Sequence, residues 1–108
     1  MEEATRYIVV LITSESIEEA DHIARVLLEK KKVACVNIVR GIDSYFWWEG
    51  KPDSARENLL IAKTKAALLP EIVALVSKLH SYDVPEVIAL PITGGNQDYP
   101  DWIEQSVA

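Results

Sequence analysis

Segments with strand-like and helix-like patterns follow one another along the chain in the order β-α-β-β-α-β. The strand-like segments are rich in β-branched residues and span Tyr7–Ile12, Val33–Val39, Glu57–Lys65 and Glu86–Ile92. Two further segments, 17–28 and 68–79, carry apolar residues at helical spacing. This order predicts an α+β fold of the ferredoxin-like, split βαβ type. In that fold, both helices cover one face of a four-stranded antiparallel sheet.

Local signals set the ends of these elements. Ser16 with Glu19 three residues later has the pattern of a capping box at the start of the first helix. Pro70 is compatible with the first turn of the second helix. Gly and Pro within 50–53 predict the turn of a long hairpin, and 99–107 predict a short, partly helical tail. At 108 residues, the chain has the length of one domain, 1–108.

Four consecutive aromatic residues, Tyr45, Phe46, Trp47 and Trp48, extend the first arm of this hairpin. Because side chains alternate along a strand, both faces of the arm are apolar. An arm from Val33 to Trp48 approaches ~50 Å at the usual rise per residue. A helix of about 15 residues covers only ~22 Å. No remaining segment can cover the second face, so we expect an obligate oligomer with the four aromatic side chains in its interface.

Lys63 is a second residue predicted at the subunit interface. It lies between Ala62 and Thr64 in the third strand-like segment, so its charge would face inward. A buried ammonium group needs a carboxylate partner. Glu57 and Glu86 are both candidates, and the sequence does not choose between them.

Charge and composition limit the classes of partner. The formal net charge is −6, and no stripe of Lys and Arg exists that could follow a phosphate backbone. Nucleic acid and anionic membrane are therefore disfavoured as partners. The longest unbroken apolar run is far shorter than the ~20 residues that span a bilayer. The acidic start of the sequence and its single cysteine predict a soluble cytoplasmic protein.

Several motifs resemble those of the CutA-type divalent-cation tolerance family. They are, in family order, VACVNIV, SYFWWEGK, ENLLIAKT, HSYDVPEVIALPI and YPDWI, and together they cover nearly the whole chain. The resemblance implies a ferredoxin-like fold and an interlocked homotrimer in which long hairpins join neighbouring sheets. It also implies a role in metal tolerance, for which binding of copper or another divalent cation is the commonest proposal.

The resemblance also suggests where a metal would bind. The family's proposed copper ligands are a cysteine late in the first strand and two adjacent histidines at the end of the second helix. In this sequence those positions hold Ile12, Leu79 and His80, so only His80 can act as a ligand. Glu86 is the predicted second ligand. The alternative is that His80 caps the last carbonyl groups of the helix, where a cation is favoured.

A cleft between subunits is the predicted place for a small ligand. Tyr82 follows His80, and the tail contributes Asp98, Tyr99 and Trp102 to the same prediction. The alternative for these tail residues is that they anchor the C-terminal segment over the sheet. Architecturally, the family also resembles the PII signalling trimers, which bind small effectors. That mechanism uses a long flexible loop, whereas the predicted hairpin turn here is short.

No catalytic constellation is visible, so we expect no enzyme. Asn37 and Arg40 are reminiscent of acylphosphatases, which share the ferredoxin-like fold. However, those enzymes bind phosphate in a glycine-containing loop after the first strand, where this chain has the acidic TSESIEEA. Cys35, between two apolar neighbours, is predicted to pack in the core. His22 is predicted to lie on the solvated face of its helix.

Overall fold

The computed structural model describes residues 6–108 and contains one four-stranded antiparallel sheet with three helices. The predicted ferredoxin-like α+β fold is confirmed. In chain order, the elements are β1 (Tyr7–Ser14), α1 (Ile17–Glu29), β2 (Cys35–Trp48), β3 (Lys51–Lys65), α2 (Leu69–Leu79), β4 (Val87–Pro91) and α3 (Asp98–Ser106). The strand order in the sheet is β2-β3-β1-β4. A single 3₁₀ turn, Ala66–Leu68, leads from β3 into α2.

The core lies between one face of the sheet and the helices α1 and α2. Alternate residues of each strand point to this face, because side chains in a strand alternate. Its most completely buried members include Val10 and Ile12 from β1, Leu60 from β3, Ile23 from α1 and Ile72 from α2, all 0% exposed. Only one of the two hydrogen bonds of the predicted capping box forms at the start of α1. Ser16 accepts the N–H of Glu19, whereas the Glu19 carboxylate bonds elsewhere.

The hairpin turn is shorter than the sequence predicted. Only Glu49 and Gly50 form it, both in the left-handed region with φ of 50° and 78°. A two-residue turn of this kind matches the twist of the paired strands. Pro52, predicted in the turn, lies in β3 opposite Trp47. It is tolerated there because β1 pairs with β3 only from Asn58 onwards, so β3 has one neighbour at this point.

A bulge between Val39 and Ile42 marks the base of the free part of the hairpin. Gly41 lies in this bulge with φ of 68°, and the side chain of Asn58 accepts its N–H at 3.3 Å. The same Asn58 side chain donates to the carbonyl oxygen of Ser14 at 3.3 Å, at the end of β1. The bulge therefore lies where the sheet loses its third strand.

The second face of the sheet, opposite α1 and α2, is called the open face below. It carries the remaining strand residues, of which Val39 is 44% exposed and Ile88 and Leu90 are 50% exposed. Helix α3 covers one end of it. Glu104 of α3 accepts a hydrogen bond from Tyr7 and forms an ion pair with Lys65, which are paired neighbours in β1 and β3. The tail thus docks over the sheet through Glu104, a residue that the sequence-based alternative did not include.

Candidate functional site

His80 lies at the C-terminal end of α2 with a fully buried side chain. Its backbone N–H donates to the carbonyl of Val76, but its ring does not bond to a helix carbonyl. Instead, Nε2 lies 2.6 Å from the carbonyl oxygen of Thr13 in β1. The other ring nitrogen, Nδ1, accepts the backbone N–H of Tyr82 at 3.1 Å. The imidazole therefore joins β1 to the segment that follows α2.

Glu19 of α1 forms a second connection around the same imidazole. One carboxylate oxygen accepts the hydroxyl of Ser14 at 2.8 Å, and the other accepts the backbone N–H of Ser81 at 3.0 Å. The first of these oxygens lies 3.3 Å from Nδ1 of His80. The glutamate that the sequence assigned to a capping box thus holds α1 to β1 and to the segment after α2.

Tyr82 extends this group to the base of the hairpin. Its hydroxyl donates to the carboxylate of Glu57 in β3 at 2.8 Å, and its ring lies 4.7 Å from the His80 ring. Burial of the phenol and its hydrogen bond to Glu57 raise the pKa of Tyr82 well above its usual range. We call His80, Tyr82, Glu57 and Glu19 the hinge cluster. It lies beside Asn58 and the bulge.

The hinge cluster does not fit a metal centre as it is arranged. Both ring nitrogens of His80 are engaged, and Glu86, its predicted partner ligand, is exposed immediately before β4. Within residues 6–108, no three His, Cys, Asp or Glu side chains converge in a way that could hold a metal ion. The assignment of His80 and Glu86 as ligands therefore stays a prediction from the resemblance.

The predicted cleft residues fall into two groups within one chain. Tyr82 belongs to the hinge cluster. Tyr99 and Trp102 of α3 lie against each other with ring centroids 5.3 Å apart, and Asp98 is exposed in the first turn of the same helix. Tyr99 lies beside Cys35 at the start of β2, and burial and this thiol raise the pKa of its hydroxyl.

The separation of these two groups follows from the register. Cys35 pairs with Lys63 of β3, whereas Glu57 lies six residues earlier in the same strand. Six residues of strand span roughly 20 Å. The two groups therefore lie near opposite ends of the part of the sheet that contains β1. A cleft that contains both sets of residues requires a second chain and stays a prediction.

Cys35 differs from the expectation, whereas the place of Lys63 in a subunit interface stays a prediction. Lys63 hydrogen bonds to the side-chain oxygen of Asn37, and neither Glu57 nor Glu86 pairs with it. Cys35 lies on the open face and is partly exposed, with its sulfur 3.8 Å from the same Asn37 oxygen. The core prediction for Cys35 is wrong because its neighbours Ala34 and Val36 point to the other face. His22 is exposed, as predicted.

The aromatic arm of the hairpin is open to solvent in the single chain. Tyr45 is 82% exposed, Trp47 75% and Trp48 60%, whereas Phe46 is 39% exposed. Such a run of exposed aromatic surface is typical of a protein–protein contact. One further residue, which no sequence pattern singled out, connects the tail to the sheet. Glu104 joins the tail to Arg6, Tyr7 and Lys65, partners that are distant in sequence.

The arrangement defines a class of protein: a ferredoxin-like α+β chain with an overlong hairpin and a C-terminal helix on the open face. Comparison with known proteins gives the family. Residues 8–106 match the family described as CutA1 divalent ion tolerance protein, and the chain belongs to that family. No helix between residues 6 and 108 is long and apolar enough to cross a bilayer.

Individual relatives agree with this membership. The chain is 48% identical over 99 residues to "Protein CutA 1, chloroplastic" from Oryza sativa, covering 92% of this chain and 56% of that protein. The chain thus spans little more than half the length of that relative. The crystal structure of CutA1 from Oryza sativa has a TM-score of 0.93 at 46% identity, covering 97% of this chain and 96% of the other.

A relative from an archaeon extends the comparison. The structure described as the periplasmic divalent cation tolerance protein CutA from Archaeoglobus fulgidus has a TM-score of 0.91 at 44% identity. It covers 94% of this chain and 99% of the archaeal one. The two relatives are named for different compartments, chloroplast and periplasm, so a cytoplasmic location for this chain stays a prediction.

Proposed function

We propose that this protein acts in tolerance to divalent cations as a non-enzymatic homotrimer. The names of its relatives describe tolerance to divalent cations and not a reaction, and the proposal carries that role over to this chain. The observation that supports assembly best is the aromatic arm, in which Tyr45, Trp47 and Trp48 are each at least 60% exposed.

The open face supports the same proposal. Helix α3 covers only the end of this face near Tyr7, and apolar side chains such as Ile88 and Leu90 stay half exposed. Burial of exposed apolar surface is the main driving force for association. A second copy that lays its hairpin across this face would cover the arm and the open face together.

The absence of an enzymatic role is the second part of the proposal. Among the described residues, the candidate phosphate-binding pair is divided: the Asn37 side chain bonds to Lys63, and Arg40 is exposed on β2. The buried His80 already uses both nitrogens. No nucleophile with a neighbouring base remains among these groups, and the acidic loop after β1 would repel a phosphate.

Assembly is tested by sedimentation velocity of the purified chain over a range of dilution. We expect a single species of three times the 12.1 kDa chain mass. A folded monomer at micromolar concentration would contradict the trimer. The cytoplasmic location is tested separately by fractionation of the source cells.

Cation binding is tested by titration calorimetry with copper chloride and with zinc chloride. Saturable heat at a fixed number of sites per trimer supports direct binding, with His80 and Glu86 or with other residues. If both metals give no heat at millimolar concentration, direct binding is excluded, and the protein would act in tolerance through a partner. The outcome does not alter the family or the assembly.

A further inference from the structure

We infer that His80 is a positioning residue that fixes the segment 80–86 on the base of the hairpin, and that it is not a metal ligand. The inference rests on the hydrogen bonds and burial of the hinge cluster. It does not depend on the proposed trimer or on the proposed role in cation tolerance.

The nearest partner of each ring nitrogen assigns the tautomer of His80: the Thr13 oxygen for Nε2, and for Nδ1 the Tyr82 N–H, which at 3.1 Å is nearer than the Glu19 oxygen at 3.3 Å. A carbonyl oxygen can only accept a hydrogen bond, so Nε2, 2.6 Å from the Thr13 oxygen, carries the ring proton and donates it. A backbone N–H can only donate, so Nδ1 of the same ring presents its lone pair to Tyr82 at 3.1 Å. A metal binds an imidazole through a nitrogen lone pair. The only such lone pair on this ring is already used.

Burial adds a second obstacle to a metal. The side chain of His80 is 0% exposed and is enclosed by Thr13 of β1, Glu19 of α1 and the Tyr82 ring. Among residues 6–108, Glu19 supplies the only carboxylate oxygen within 4 Å of a ring nitrogen of His80, and this carboxylate is occupied by Ser14 and the N–H of Ser81. A cation at Nδ1 would displace the Tyr82 N–H and leave it without a partner, at a cost comparable to a lost hydrogen bond.

The same contacts explain what the imidazole does instead. It links the end of α2 to β1 through Thr13 and to the following segment through Tyr82. Tyr82 then reaches Glu57, next to the residue whose side chain holds the bulge. His80 therefore sets where Tyr82 lies, and through Tyr82 it sets the geometry at the base of the hairpin.

Two conservative variants test the hydrogen bonds of Nε2 and Nδ1 separately. In His80→Gln, the side-chain amide can still donate to Thr13 but does not present an acceptor at the Nδ1 position. In His80→Asn, the side-chain oxygen can still accept the Tyr82 N–H but the reach to Thr13 is lost. The matched control is His22→Gln, which removes the exposed imidazole on α1.

Hydrogen exchange at the Tyr82 amide, measured by NMR, reads the positioning role directly. We expect exchange at this amide to be at least about tenfold faster in His80→Gln than in His80→Asn, because only the asparagine replaces the lost acceptor. A general loss of stability would accelerate exchange at many amides in both variants alike. Equal protection of the Tyr82 amide in the two variants would overturn the inference. So would NMR evidence that the ring proton of His80 lies on Nδ1 in the wild-type protein.

Metal titration tests the claim that His80 is not a metal ligand. Wild type, His80→Asn and the control are each titrated with zinc chloride, while the ring resonances of His80 are followed by NMR. We expect the His80 signals to stay in place and any zinc affinity to agree within about twofold among the three proteins. Shifted His80 ring nitrogens, or an affinity at least tenfold weaker in His80→Asn alone, would show that His80 is a ligand. If wild type binds no zinc and its His80 signals do not move, the inference stands while direct binding fails.

Discussion

Replacement of Trp47 by alanine should weaken assembly without unfolding the subunit. Trp47 is 75% exposed in the single chain, so its contacts within the subunit are few. A tryptophan buries up to ~250 Å² when fully covered. If a neighbouring subunit covers what this chain leaves open, roughly 150–200 Å² leaves water at Trp47, worth ~4 kcal/mol at ~25 cal/mol per Å².

Alanine keeps part of that contact, so we expect the loss to be about 3 kcal/mol per subunit. The dissociation constant of each subunit contact would then rise about 100-fold. Sedimentation velocity over a dilution series measures this change, and circular dichroism at each concentration reports whether the dissociated subunit stays folded. The Trp48→Ala variant, at 60% exposure, should show a smaller shift in the same direction.

The matched control is Leu28→Ala. Leu28 is 44% exposed, but it lies on α1, away from the open face and the hairpin. We expect its dissociation midpoint to equal that of wild type. If Trp47→Ala and Leu28→Ala gave the same midpoint, the aromatic arm would not be a subunit contact. Its role as a binding platform for another partner would then be the better explanation.

Three further predictions concern a single subunit. Hydrogen bonds from Lys65, Tyr7 and Arg6 lower the pKa of Glu104 from 4.5 to about 2, so its stabilising effect should be present above pH 4.5 and lost towards pH 2. A Glu104→Gln variant should lower the neutral-pH Tm and flatten this acid decline. Gly41→Ala should cost ~1–2 kcal/mol in urea unfolding because φ is positive and the new Cβ would lie 3.2 Å from Arg56, whereas Gly94→Ala should be neutral. Ser16→Ala should cost about 1 kcal/mol by the same measurement, because the Glu19 N–H loses its cap. If Gly41→Ala or Ser16→Ala lowered the free energy of unfolding by less than a few tenths of a kcal/mol, the prediction for that variant would be contradicted.

The elements that the sequence predicted well are those with local causes. The start of α1 follows from Ser16, whose hydroxyl needs only the next turn of the same helix to act as a cap. Pro70 lies in the first turn of α2 for a similarly local reason, because its missing N–H costs nothing there. The ferredoxin-like order of elements follows from the order in which strand-like and helix-like patterns of apolar residues occur along the chain.

The turn and Cys35 show where local signals are insufficient. Pro52 predicted a turn, but whether proline fits a strand depends on how many neighbours that strand has, which is a property of the sheet. Cys35 lies in an apolar stretch, yet the face to which its side chain points is decided by the register of β2 on β3. Cys35 pairs with Lys63 on the open face, and Val36 pairs with Ala62 on the core face. A one-residue difference in this reading moves a side chain from the core to the open face.

The contacts of Glu104 and His80 could not be predicted from the sequence for a different reason. The partners of Glu104, Tyr7 and Arg6, lie 97 and 98 residues away along the chain. Thr13, whose backbone carbonyl accepts the hydrogen bond from His80, lies 67 residues away, and a contact to a backbone carbonyl does not depend on the residue type. The sequence therefore offered a histidine and nearby carboxylates, whose most familiar combination is a metal site, and gave no sign that the ring was already engaged.

The position of the hinge cluster has a physical reason that links the fold to the proposed assembly. β1 ends at Ser14, and the part of β3 before Asn58 pairs only with β2, so the sheet narrows there from three paired strands to two. Polar backbone groups at such an edge need partners, because unpaired buried donors and acceptors are costly. Asn58 supplies them for Ser14 and Gly41, and His80 supplies one for Thr13. Beyond this boundary, the hairpin has no cover from its own helices. We therefore expect the cluster to set the direction of the aromatic arm, so that a disturbance of His80 would reach the proposed assembly through the hairpin without any contact between His80 and a neighbouring chain.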